Sequence, residues 1–174
     1  MIATQAEATW FAEKVRALGL PKVGVMIEVP AAAIRSKGIL YHVDFASLGT
    51  NDLQQYTMAA DRMQGELAEL LNPWEPALLD VVSLACEGGQ MMGKPVGVCG
   101  EAAGDPALAL VLAGLGVSSL SMAPGKVPAV RTALALHTLT QCQQMAAAAR
   151  AGTNATEAKS AVMSLADPVL ADLL

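Results

Sequence analysis

Aromatic side chains are almost missing: Phe, Trp and Tyr make up 3% of 174 residues, although 53% of the chain is hydrophobic. A core built this way rests on Ala, Leu, Val, Met and Gly, the set that packs helices against buried strands. Basic residues are scarce as well, 11 against 16 acidic, for a net charge of -5. Binding along a nucleic acid needs a basic face, so that class of partner is excluded. Cysteine occurs three times, at Cys86, Cys99 and Cys142, with no CxxC spacing. An odd, scattered set argues against a disulfide framework or a zinc site and for a reducing cytoplasm. The start, "MIATQAEATWFAEK", has no basic segment leading into an apolar one, so no signal peptide is expected. The most apolar stretch, "DPALALVLAGLGVSSLSMAP", is interrupted by Gly and Ser. It reads as a buried helix and a strand, not a membrane span.

What is present alternates. Residues 4–18 carry a helical pattern with Trp10, Phe11, Val15 and Leu18 on a common side. "VGVMIEV" (23–29) is a continuous apolar run, which suits a strand buried on both faces. Residues 30–43 read as helix or helical turn, with Pro30 tolerated at the start. "DFASLGT" (44–50) is a second strand, and residues 51–71 look helical. "NPWEP" (72–76) breaks the chain before a helix over 76–92. "PVGVCGE" (95–101) is a third strand, followed by a helix over 105–115 with Asp105 as its cap. "VSSLSMA" (117–123) is a fourth strand, and a helix spans 126–150. The remainder, 151–174, reads as a flexible join and a last short helix. Strands alternating with helices predict a parallel α/β fold over residues 1–150, with 151–174 as a C-terminal helical tail.

The polar residues of this chain gather at strand ends: Glu28, then Thr50-Asn51-Asp52, then Cys99-Gly100-Glu101, then Ser121-Met122. In parallel α/β folds ligands sit at the carboxyl ends of strands, so these tips converge on one place. Glu28 and Asp52 suit a hard cation such as Mg²⁺, or else they cap the following helices. Asn51 and its neighbouring amides suit an anion, or else an ordinary helix start. Arg62 can fold back over that anion or face solvent. Cys99 is either a packing residue or an acid or nucleophile presented to a ligand. Cys86 and Cys142 fall inside helices and read as packing residues. His42 and His137 lie away from the strand ends and read as structural or surface groups.

Four stretches resemble the phosphoenolpyruvate-binding barrel of Enzyme I of the bacterial sugar phosphotransferase system, the phosphoenolpyruvate–protein phosphotransferases. They are "VGVMIEVPAAAI" (23–34), "VDFASLGTNDLQQYTMAADR" (43–62), "GKPVGVCGEAAGDPALALVLAGLGV" (93–117) and "SLSMAP" (119–124), in family order. Pyruvate phosphate dikinase and phosphoenolpyruvate synthase share the Glu, Asn-Asp and Cys-Gly-Glu elements, but "QYTMAADR" is closer to Enzyme I. The resemblance implies that Glu28 and Asp52 ligate Mg²⁺. It implies that Thr50, Asn51, Asp52 and Arg62 bind phosphoenolpyruvate, with Arg62 on the transferring phosphoryl group. It implies that Cys99 protonates the enolate as pyruvate forms.

The same resemblance sets further expectations. The family's barrel has eight strands, and the match begins at what resembles the fifth. This chain is therefore expected to hold the last four βα units of a TIM-type barrel. The family's other substrate arginines and its phosphoacceptor histidine have no counterpart here. Transfer to the carrier protein HPr is expected to run through that missing histidine domain. Half a barrel leaves open sheet edges. The chain is thus expected to pair with a second copy or with the complementary half, and not to persist as a compact monomer. The rival reading is a truncated, non-catalytic oligomerisation or regulatory module.

Overall fold

The computed structural model describes residues 1–173. The chain begins with α1 (Gln5–Ala17) and then enters β1 (Gly24–Ile27). Two short helices, α2 (Pro30–Ile34) and α3 (Ser36–Leu40), lead to β2 (Phe45–Gly49). After β2 come α4 (Thr50–Thr57), a 3₁₀ segment (Gly65–Leu71) and the long α5 (Pro76–Met92). β3 (Val96–Cys99) is followed by a 3₁₀ turn and α6 (Pro106–Gly114). The two-residue β4 (Ser119–Leu120) precedes α7 (Val127–Leu136), α8 (Leu139–Arg150) and α9 (Ala155–Leu165). The strands form one parallel sheet in the order β1-β2-β3-β4, as the alternating pattern predicts.

Register divides the sheet into two unlike faces. Val25 pairs with Ala46 and Ala46 with Val96, while Ile27, Leu48, Val98 and Leu120 form the next such row. All but Leu120 in those rows are buried beneath the helices. The opposite face carries Met26, Ser47, Gly97 and Ser119 in one row, with Gly24 beside Phe45. There Met26 is 36% exposed and Phe45 42% exposed. The expectation of strands buried on both faces is therefore corrected. Among the described residues the helices cover one side only, and the sheet does not close. Ile2 makes an isolated parallel bridge to Ile27 on the outer edge of β1.

The core lies between sheet and helices. α6 is buried along nearly its whole length, from Pro106 to Leu112, because α7 and α8 pack against it and its side chains join the common core. An apolar helix without a polar face has to sit in such a place. Asp105 caps it as predicted, its Oδ1 accepting from the Ala107 and Leu108 amides at 2.9 and 3.1 Å. Leu110, wholly buried at the centre of α6, tests how tightly this layer is packed. Leu110→Ala is expected to lower the unfolding free energy by about 2–5 kcal/mol in a urea titration.

Three helical expectations change. On α1 the large side chains face outward, with Trp10 61% exposed, and Ala8 and Ala12 form the buried stripe. Small residues are needed there because α1 packs against α3. The pattern over 51–71 is not one helix: α4 ends at Thr57, and Ala59 turns the chain with φ of 50°. The pattern over 126–150 splits at His137, because Thr138 and Gln141 form a capping box that starts α8. His137 is buried at that split. Its Nδ1 lies 2.7 Å from the Ala133 carbonyl, and its Nε2 accepts the Asp167 amide at 2.9 Å. It thereby ties the segment after α9 to α7. Among the described residues the stretch after 150 is folded: α9 packs on α8 and α6, and Leu170 is buried.

Candidate functional site

Because Ile27, Leu48, Val98 and Leu120 lie in one row, the residues just past them emerge side by side. Those residues are Glu28, Gly49, Cys99 and Ser121. Glu28 leans on β2. A methyl group added to Gly49 would sit 2.7 Å from its Cγ and 2.8 Å from its Oε1. Only a glycine leaves the carboxylate this position against the next strand tip. Gly49 leads directly into α4, whose first residues are Thr50, Asn51 and Asp52.

No side chain caps the start of α4. Its first amide N–H groups therefore have no partner within the helix and point, with the positive end of the helix dipole, towards the strand tips. Asn51 is exposed there. Arg62 reaches this place by a reversal of the chain. Ala59 adopts the left-handed conformation, and the Ala60 amide donates to the Gln55 carbonyl at 3.0 Å. That is a Schellman-type ending made without glycine. The guanidinium then returns to α4, and its NH2 donates to Asp52 Oδ1 at 2.8 Å. Asp52 and Arg62 are 24% and 51% exposed, so the pair stands at the solvent edge of the site.

Cys99 ends β3 on the open face of the sheet. Its thiol lies 3.4 Å from the Leu48 carbonyl, to which it donates. Gly100 follows with φ of 99°, a conformation that lets the chain turn sharply after the thiol. The Cys99 carbonyl accepts the Thr50 hydroxyl at 3.1 Å. Asn51 closes over Gly100, its Oδ1 standing 3.3 Å from where a side chain at Gly100 would begin. The other two thiols differ in kind. Burial pushes Cys86 up to about 12 and raises Cys142 too, which keeps both protonated and unreactive.

The tips of β3 and β4 also border an open cavity of about 1040 Å³. Glu101, Asp105, Met122, Lys126 and Lys159 contribute to its wall. Sequence reasoning did not single out either lysine, since Lys159 arrives from α9, far along the chain. The Trp74 indole donates to Asp105 Oδ2 at 3.2 Å, and Lys159 lies over the Trp74 ring at 5.9 Å. Among the described residues no three His, Cys, Asp or Glu groups converge as a ready-made metal cage. Glu28 and Asp52 offer two hard oxygen donors on neighbouring tips. That donor set fits Mg²⁺, which takes one or two carboxylates and leaves its other positions to water and substrate phosphate.

Residues 2–139 match the family described as PEP-utilising enzyme, PEP-binding domain. The chain belongs to that family. It is 53% identical over 166 residues to the phosphoenolpyruvate-protein phosphotransferase of Streptomyces coelicolor, covering 95% of this chain and 30% of that protein. The namesake protein of Mycoplasma pneumoniae is 42% identical, over 81% of this chain and 25% of its own. The multiphosphoryl transfer protein of Xanthomonas campestris is 47% identical, over 71% of this chain and 15% of its own. The chain thus spans less than a third of each of these relatives. Glu28, Thr50, Asn51, Asp52, Arg62 and Cys99 all fall inside the PEP-binding domain match, whereas α9 and Lys159 lie beyond it. An open sheet with its strand tips in register accords with a barrel domain of this family. No helix among the described residues is long and apolar enough to cross a membrane.

Proposed function

We propose that this chain is the phosphoenolpyruvate-binding part of a cytoplasmic phosphoenolpyruvate–protein phosphotransferase of the sugar-uptake system. The observation that carries the reading is the set of strand tips: Glu28 and Cys99 end the strands on either side of β2, and Asn51 and Asp52 open the helix that leaves the tip of β2, with Arg62 paired to Asp52. Glu28 and Asp52 would hold Mg²⁺, which would supply neutralising charge for phosphate there. Thr50 and Asn51 offer backbone N–H groups at the head of α4 to the phosphate oxygens. Arg62 lies against the transferring phosphoryl group, where positive charge around the equatorial oxygens stabilises the transition state.

The acceptor is a histidine on another part of the enzyme, and HPr receives the phosphoryl group from it. As the enol P–O bond breaks and the P–N bond forms, the enolate of pyruvate is left in the site. Cys99 gives its S–H proton to the methylene carbon, and the thiolate regains a proton from water. A thiol held at the strand tip is a proton donor suited to that delivery. The open face bearing Met26 and Phe45 receives the complementary half of the barrel.

The test is a calorimetric titration with Mg²⁺ and phosphoenolpyruvate, with and without a fragment supplying the complementary strands. Each ligand is expected to tighten the other, as linkage requires. Glu28→Ala is expected to abolish that coupling while leaving the circular dichroism spectrum unchanged. Coupling of equal size in the variant would remove Glu28 from the metal site. No binding of either ligand at millimolar concentration, even with the complementary strands, would sink the reading.

A further inference from the structure

We infer that the Thr50 side chain is a positioning residue for Cys99 and not a ligand for substrate. The inference rests on the proposed function, in which Cys99 is the proton donor. Thr50 opens α4 and is 2% exposed, so its hydroxyl does not face the solvent side of the site. The hydroxyl donates to the Cys99 carbonyl at 3.1 Å, across a gap of 49 residues in sequence. The same oxygen lies 2.9 Å from where a methyl group on Gly100 would stand, so it packs directly against the turn after the thiol. A hydroxyl has one proton to give. With that proton held by the Cys99 carbonyl, the oxygen presents only lone pairs, which a phosphate oxygen does not seek. The side chain does another job. It joins the head of α4 to the tip of β3, fixing the thiol relative to the amides that receive the phosphate.

The tip of β3 is held twice. The thiol donates to Leu48 on β2, and the carbonyl of the same residue accepts from Thr50 just past β2. Both bonds lead to the segment that carries Asn51 and Asp52. Loss of the Thr50 bond frees the Cys99–Gly100 peptide to rotate, and the thiol then leaves its fixed direction. Backbone pairing of β3 with β2 persists, so the fold survives.

Thr50→Val keeps the shape and removes the hydroxyl, whereas Thr50→Ser restores it without the methyl group. The first measurement is the rate of Cys99 alkylation by iodoacetamide in this chain, located by peptide mass. Cys86 and Cys142 are buried and serve as internal references. Thr50→Val is expected to raise the Cys99 rate about three- to tenfold, the size of one neutral hydrogen bond, and Thr50→Ser to return it to the wild-type value. In the whole enzyme Thr50→Val is expected to lower kcat with KM for phosphoenolpyruvate nearly constant, and Thr50→Ser to recover kcat. An unchanged alkylation rate in Thr50→Val overturns the inference. So does a rise in KM at constant kcat, which makes the hydroxyl a substrate ligand. If Thr50→Val fails to fold, Thr50→Ser decides alone, because a folded serine variant with a disturbed Cys99 rate also overturns it. Failure of the proposed function reads differently: unsubstituted protein then binds no phosphoenolpyruvate, while the alkylation rates still respond to the hydroxyl.

Discussion

Cys99→Ala is expected to slow pyruvate formation by about 10²–10⁴-fold, the range a positioned general acid supplies, while phosphoenolpyruvate binds almost as before. The split follows from where the thiol stands. Its hydrogen bond goes to the Leu48 carbonyl, not to the amides at the head of α4 or to the Asp52–Arg62 pair. On the proposed function, removing it takes nothing from the groups assigned to phosphate. The proton is needed only after the phosphoryl group has left, when the enolate carbon is basic. Rapid-quench measurement should therefore show phosphoenzyme forming at close to the normal rate in one turnover, with pyruvate release lagging. A collapse of affinity in this variant would instead make Cys99 part of the binding surface. Cys86→Ala, by contrast, is expected to leave turnover unchanged, since that thiol is buried in α5 away from the strand tips.

Much of the frame was open to reading from residues alone, and what escaped shares one cause. The runs "VGVMI", "FASLG" and "VGVC" gave themselves away as strands because short, mostly apolar, Val- or Gly-containing stretches recur between helical patterns, although only one face of the sheet is covered. α5 was bounded at both ends, by Pro76 inside its start and by Gly93 in the left-handed conformation after Met92. The end of α4 was hidden because Ala59, not glycine, takes the positive φ there. The start of α8 had a visible signal, Thr138 and Gln141 at capping-box spacing, masked by apolar periodicity on both sides. At the site, the polar strand ends located the candidates. Their mutual fit was not legible: the Glu28–Gly49 approach and the Thr50–Cys99 bond depend on register between neighbouring strands. Local pattern does not fix register when half of a sheet is glycine and serine on its open face. Lys159 was invisible for a related reason, since α9 brings it to the β3 and β4 tips only through tertiary packing.

Arg62→Ala is expected to lower the rate of phosphoryl transfer by about 10³-fold or more, the lower end for arginines that stabilise a transferring phosphoryl group. The same change is expected to leave the unfolding midpoint nearly where it was. Both expectations come from one geometry. The guanidinium is half exposed and pairs with a carboxylate at the solvent edge, and such a pair contributes about 0–1 kcal/mol to stability. Its position is nevertheless built: the chain stops α4 at Thr57, accepts a left-handed alanine at Ala59 and returns so that the guanidinium meets Asp52 at 2.8 Å. A surface ion pair worth so little to stability does not require that reversal, whereas a cation aimed at phosphate does. Arg62→Lys separates charge from shape. A lysine keeps the charge but lacks the planar fork that grips two phosphate oxygens, so it should restore only a small part of the rate. Single-turnover transfer from phosphoenolpyruvate to the enzyme, read beside a thermal melt, measures both quantities. A large loss of stability with little change in rate would make Arg62 a strut for α4, and full rescue by lysine would reduce its role to charge alone.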